Sequence, residues 1–211
     1  RKLTSNDHQH FCKDLLMKKI IDFNFENNNQ LIAGSILVAE PFMADDYFSR
    51  SVVFLCDHNS DGSFGFVINK YVDTNLSEFV DDFPDINTRI SIGGPVDMSN
   101  LFYIHSLGEE IEGCAPTSNG LFIGGDFEQI KSLLRNDASN ADRIRFFIGY
   151  SGWDKGQLKS EMNEKSWIVL NNLPNSQILD TKIEDTWTNL MKKQGGKFKV
   201  MTKFPVNPSD N

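Results

Sequence analysis

Residues 51 to 70 constrain this chain most. Val52-Val53-Phe54-Leu55-Cys56 is apolar at every position, and a strand with no polar face is covered on both sides, so Ser51 to His58 reads as a central strand. Asn59-Ser60-Asp61-Gly62 follows as a turn signal. In Ser63 to Lys70 the alternation puts Phe64, Phe66 and Ile68 on one face. The segment is a hairpin.

Elsewhere short apolar runs alternate with Gly, Asp and Asn. Strands are expected at Gly34 to Glu40, stopped by Pro41, and at Arg89 to Ile92, Leu101 to Ser106, Gly120 to Ile123, Arg143 to Tyr150 and Ser166 to Leu170. A short helix is expected at Asn75 to Phe83. A longer one runs from the capping residue Asp126 through Asn136, with Phe127, Ile130, Leu133 and Leu134 in one stripe. Thr181-Lys182-Ile183-Glu184 has capping-box spacing for a helix that turns Trp187, Leu190 and Met191 inward and closes at Lys192-Lys193 and Gly195. Near the start, Phe11, Leu15, Leu16, Ile20 and Ile21 have near-helical spacing, which Asn27-Asn28-Asn29 interrupts. The organisation predicted is an N-terminal helix and linker over 1–30, one compact α/β domain of the α+β type over 31–196, and an extended tail over 197–211, where Pro205 and Pro208 limit any ladder.

A length of 211 residues suits that single domain, since domains run at roughly 100 to 200 residues. Lys and Arg number 21 against 29 Asp and Glu, a formal charge of -8. That balance weighs against direct nucleic-acid binding, because neutralising phosphates needs a basic footprint. Cys12, Cys56 and Cys114 form no C-x-x-C pair, and an odd number gives no disulfide framework. The thiols are expected to be free and the compartment reducing. Apolar runs fall far short of the roughly 20 residues of a bilayer helix, and the first residues lack a signal peptide's apolar segment. A soluble cytoplasmic protein with no membrane partner is the expectation.

Catalytic and cofactor motifs are sparse. Neither G-x-x-x-x-G-K-[ST] nor G-x-G-x-x-G occurs, and His8-Gln9-His10 with Cys12 lacks a second ligand pair, so no cofactor and no metal are predicted. Gly149-Tyr150-Ser151-Gly152-Trp153 lacks the last glycine of a G-x-S-x-G elbow. His105 and Ser106 point to opposite faces of a strand and cannot pair there. Polar and small residues gather instead at strand ends: His58, Asn69, Gly93-Gly94, His105, Gly124-Gly125 and Ser151. Paired glycines make tight turns or let a ligand approach the backbone, and Gly124-Gly125 before a helix could present amides to an anion. His105 shares a face with Leu101 and Tyr103, which favours a hydrogen-bonded, half-buried imidazole over a general base.

Trp153 to Leu158 has two readings. With Asp154 as N-cap, Gln157 falls at the third helical position and can reach back to the cap amide, while Trp153 and Leu158 take the hydrophobic-staple positions. Alternatively Gln157 and Glu161, four apart on one face, line a pocket beside Trp153. The staple is preferred because it explains four residue identities at once.

Taken in order, these motifs resemble the AlgH-like (YqgE) family of small bacterial proteins of uncertain function. The resemblance rests on Gly34-Ser35-Ile36-Leu37-Val38-Ala39-Glu40-Pro41, Phe48-Ser49-Arg50-Ser51-Val52, Gly65-Phe66-Val67-Ile68-Asn69-Lys70, Gly93-Gly94-Pro95-Val96, Ile104-His105-Ser106, Gly124-Gly125-Asp126 and Gly149 to Trp153, with Gln157, Glu161 and Trp167 following. Asp57 stands where the family usually has Glu, Tyr71 where Pro is common and Ser151 where Ala is frequent. The resemblance implies a bent mixed sheet closing into a partial barrel with helices outside, and it adds Arg50 to the candidate residues. Members are often labelled transcriptional regulators, but no helix-turn-helix accompanies that label here. The expected function is a regulatory or small-ligand-binding module. A protein-interaction module comes second, and a hydrolase or transferase using a pocket near His105 and Asn69 third. Duplex DNA should bind weakly near physiological salt. A sequence-selective nanomolar dissociation constant in fluorescence anisotropy would overturn that expectation.

Overall fold

The computed structural model of the chain describes residues 25–204. The expected helix at residues 5 to 23, the His8-Gln9-His10 cluster, Cys12 and the two late prolines lie outside these residues. The described residues form ten strands: β1 (Ile36–Ala39), β2 (Val52–His58), β3 (Gly62–Val67), β4 (Tyr71–Val72), β5 (Ile90–Ile92), β6 (Val96–His105), β7 (Ala115–Pro116), β8 (Phe122–Ile123), β9 (Ile144–Asp154) and β10 (Trp167–Leu170). The helices are α1 (Phe127–Asn136), α2 (Gln157–Asn163), α3 (Asn175–Leu179), α4 (Thr186–Gln194) and α5 (Gly196–Met201).

The strands form one curled sheet in the order β10-β1-β2-β3-β9-β6-β8-β7, with β5 on β9 and β4 on β5. Among the described residues only the β5–β9 pairing is parallel, and the sheet curls into a half-barrel against which the helices pack. The hairpin expected at residues 51 to 70 is β2–β3, with Val53 opposite Val67 and His58 opposite Ser63. β2 is central and covered on both faces. Val52, Phe54 and Cys56 pack with Trp187, Leu190 and Met191 of α4, while Val53 and Leu55 pack with Trp153, Leu158 and Trp167. The register shifts between Leu55 and Asp57, so Cys56 is a bulge residue. Its buried thiol, raised by desolvation, behaves as a small hydrophobe. A third cluster joins Ile130 and Leu134 of α1 to Tyr103, Ile144 and Phe146.

Asp126 caps α1 as expected, its carboxylate accepting from the amides of Glu128 at 2.8 Å and Gln129 at 3.1 Å. Three expectations are corrected. Residues 75 to 83 form only a 3-10 turn at Leu76–Glu78, because so short a segment, with only Leu76 and Phe83 buried, cannot offset helix nucleation. The capping box at Thr181 is not used. Glu184 pairs with Arg89 at 2.7 Å instead, Thr181 is buried, and α4 begins at Thr186 after Asp185 in a left-handed conformation. Of the expected extended tail, the part within the described residues is not extended. It forms α5, with Met201 buried and Phe198 edge-on to Phe25 at 6.0 Å.

β9 is the hub, pairing with β3, β5 and β6. Along one side its partner changes from β5 to β3, and Gly93-Gly94 stands at the change. Gly93 donates to Ile148 O at 2.8 Å and accepts from Val67 N at 2.8 Å. A Cβ on Gly93 would lie 2.3 Å from Gly149 O, and one on Gly94 1.9 Å from Tyr150 C. Only residues without a side chain let three backbones approach so closely.

Arg145, near the start of β9, is 1% exposed. Its Nε donates to Ser91 Oγ at 3.0 Å and its Nη1 to Ile178 O at 2.7 Å and Asp180 O at 3.2 Å. Nη2 donates to Ile68 O and to the Tyr71 hydroxyl, the latter at 3.1 Å. The guanidinium thus ties together the end of β3, the β4–β5 pair and the end of α3. Arg145→Met would strip charged donors from the buried carbonyls of Ile68 and Ile178, at about 1–3 kcal/mol each. Urea unfolding should show a loss of about 3 to 5 kcal/mol. Arg145→Lys should not restore it, since one ammonium cannot span the same acceptors.

Candidate functional site

The sequence-predicted residues fall into separate groups. Asn69 shapes the loop before β2, accepting from Val52 N at 2.7 Å and donating to Arg50 O at 2.8 Å. It holds Arg50 at φ 53. The Arg50 guanidinium lies 4.9 Å from the Trp187 ring centroid and donates to Phe204 O, so it ties the C-terminal segment to β2. Burial lowers its pKa. Gly93, Gly94 and Ser151 belong to the partner change on β9, where Ser151 Oγ donates to Gly93 O at 3.0 Å.

His105 is fully buried rather than half-buried. Leu107 N donates to its Nδ1 at 3.3 Å, which leaves the ring proton on Nε2, 3.1 Å from Gly124 O. The neighbouring Tyr103 hydroxyl donates to Gly125 O at 2.6 Å. Both side chains therefore hold the Gly124-Gly125 turn through its carbonyls. The Gly124 amide donates to Tyr103 O at 3.0 Å, and the first free amides of α1 are taken by Asp126. His105 and Asn69 share no hydrogen-bond partner among the described residues.

Around Trp153 the structure divides the two sequence readings. β9 runs on to Asp154, and α2 starts after Gly156 in a left-handed conformation, so Asp154 is not the N-cap. The expected reach-back exists all the same, Asp154 N donating to Gln157 Oε1 at 3.1 Å. Gln157 Nε2 donates to Glu161 Oε1 at 3.0 Å. Glu161 Oε2 accepts both indole N–H groups, Trp153 at 2.9 Å and Trp167 at 2.8 Å. A carboxylate that satisfies two buried tryptophans is a brace between β9 and β10.

Two clefts flank the β2–β3 turn and share Asn59, Gly62, Ser63 and Asp154 as their common wall. Each has a volume of about 530 Å³. His58 lines one of them, its Nδ1 2.6 Å from Ser63 Oγ across the hairpin, together with Lys155 and Lys159. Gln157 lines the other. That second cleft is floored by Gly152, walled by Phe64 and Tyr150 with ring centroids 6.3 Å apart, and rimmed by Asp57, Asp61 and Asp154. Its lining includes no lysine, arginine or histidine, and among the described residues none of these three carboxylates makes an ion pair. From the sequence, Phe64 only shares a face with Phe66 and Ile68, and the strand from Arg143 ends at Tyr150. The pairing of Gly62 with Asp154 across β3 and β9, which brings the lining together, is not a local signal. Among the described residues no group of three His, Cys, Asp or Glu is placed to hold a metal ion, and no helix is long and apolar enough to cross a membrane.

The AlgH-like family model matches residues 36–199. The chain belongs to the AlgH-like family. A UPF0301 protein of Bacteroides thetaiotaomicron is 38% identical over 192 residues, covering 90% of this chain and 96% of that protein. One from Parabacteroides distasonis is 40% identical over 189 residues, covering 88% and 95%. Two solved structures share the fold: a Corynebacterium diphtheriae protein at TM-score 0.66 and 24% identity, covering 85% of this chain and 95% of its own, and the AlgH protein of Pseudomonas aeruginosa at TM-score 0.65 and 23% identity, covering 86% and 98%. The AlgH-like half-barrel is thus the architecture of this chain, and its family is one of uncharacterised function.

Burial lowers the His105 pKa, and nearby Arg143 lowers it further against the opposing bond to Gly124 O. With the folded value below the unfolded one near 6.5, the unfolded chain binds the proton first as pH falls. This contribution to stability is complete above about pH 6.5 and is lost between there and the folded value. His105→Gln should flatten that part of the stability–pH curve, measured by urea unfolding at a series of pH values.

Proposed function

We propose that this AlgH-like chain is a small-ligand-binding module whose site is the cleft floored by Gly152. One observation carries the reading: two aromatic rings and three carboxylates with no countercharge converge on a concave surface at the end of the sheet. Such a surface suits an organic cation, with an amine held by Asp57, Asp61 or Asp154 and an apolar body against Phe64 and Tyr150. Regulation by this protein would then follow from ligand occupancy. A hydrolase or transferase site near His105 and Asn69 gains no support, because His105 is buried with both ring nitrogens engaged.

Tyramine, spermidine and citrate serve as probes in an NMR titration of the labelled protein. Tyramine should shift the Gly62 and Gly152 amides and the Trp153 indole, spermidine should do so more weakly, and citrate should not. A Cβ on Gly152 would stand 3.3 Å from Tyr150 Cε2 and 3.8 Å from Val96 Cγ2, so Gly152→Val fills the floor and should abolish the shifts. If no amine shifts these signals, or the variant leaves the shifts intact, the cleft is not the site.

A further inference from the structure

The two ends of an open sheet expose peptide groups to any strand that passes. At one end β7 is two residues long and includes Pro116, which blunts it. At the other end β10 is Trp-Ile-Val-Leu, buried or nearly so along its length and without a charge. β1 occupies one side of β10, with Leu37 opposite Val169. Among the described residues the other side meets no strand.

It meets two asparagine side chains. Asn27 Nδ2 donates to Trp167 O at 2.9 Å, and Asn27 Oδ1 accepts from Val169 N at 2.7 Å. One side-chain amide thereby makes both bonds that a residue of a parallel strand would make opposite Ile168. Asn29 Nδ2 donates to Val169 O at 2.8 Å. The segment is fastened on both sides of these contacts. Phe25 is buried against Phe198, Gln30 O accepts from Asn171 Nδ2 at 3.1 Å, and Leu31 packs on the cluster of Trp153 and Trp167.

We propose that Asn27 and Asn29 guard the β10 edge against pairing with β10 of a second copy of this chain. A second copy is the fitting occupant because the edge is self-complementary. The outward peptide groups belong to Trp167 and Val169, so in an antiparallel pair about a two-fold axis Trp167 of each copy faces Val169 of the other and exchanges both backbone bonds. The apolar, uncharged strand offers no repulsion to such pairing. Side-chain amides satisfy the edge yet present no further ladder, so the sheet stops there.

Light scattering after size exclusion, at matched concentration, tests the guard. Asn27→Ala with Asn29→Ala should raise the mass to twice that of wild type or above, while Asn28→Ala, at an exposed neighbour, should leave it unchanged. Adding Val169→Pro should return the mass to that of wild type, because it removes the outward N–H and no bond to β1. A folded double variant with wild-type mass, or a raised mass that Val169→Pro does not reverse, overturns the proposal. Should the double variant not fold, Asn27→Ala alone decides by the same measure: a raised mass supports the guard and an unchanged mass overturns it.

Discussion

A buried guanidinium that makes no ion pair among the described residues is the constraint on which this structure turns. Removing Arg145 from water is costly, and its pKa is lowered by that burial. The cost is offset because the protein surrounds the group with neutral acceptors from four segments and with the faces of Tyr71 and Phe147, whose ring centroids lie 5.6 and 5.7 Å away. Each acceptor must be in place for the others to be worth having. The turn after β3, the β4–β5 pair and the end of α3 are thereby located relative to β9 by one side chain. Tyr71 stands between Arg145 and Arg89, whose guanidinium lies 3.7 Å from the ring centroid.

From that anchored start β9 runs past the glycine pair, and the partner change there decides where the clefts form. Before Gly149, β9 pairs with β5 on that side, and after it Ser151 to Asp154 pair with Gly65 back to Gly62. The long strand thus reaches the turn of the β2–β3 hairpin. Gly152 arrives beside Phe64, and Asp154 beside Gly62. A side chain at Gly93 or Gly94 would push the backbones apart and misalign that whole stretch. The glycines shape the proposed site from a distance, as spacers between strands.

What could be read from the sequence were local patterns with a single physical cause. The apolar run at 52 to 56, the turn at 59 to 62 and the Asp126 cap depend on neighbours in sequence, and they formed as expected. The burial of Arg145 depends on acceptors 33 to 77 positions away, and nothing in a strand bearing one arginine announces it. Glu184 had the right spacing to cap α4 but met Arg89, 95 positions off. Gln157 made its expected contact with the wrong cap, because the strand before it kept its pairing for longer than the hydrophobic pattern suggested. His105 and Gly124-Gly125 stand out in the sequence only as separate polar or small strand-end groups, 19 positions apart. Their closeness is structural, one turn fastened by two ring side chains.

The charge balance and the cleft agree at different scales. A chain of net charge -8 repels polyanions over the range of a Debye length, and the cleft concentrates the same sign where low-dielectric walls strengthen it. Lysines do occur near the turn, but Lys155 and Lys159 line the other cleft, across the shared wall of Asn59, Gly62, Ser63 and Asp154. The two clefts therefore differ in sign while sharing a backbone. In the proposed ligand-binding role, a ligand that moved that wall from one side would alter the shape offered on the other, a route from occupancy to a changed surface.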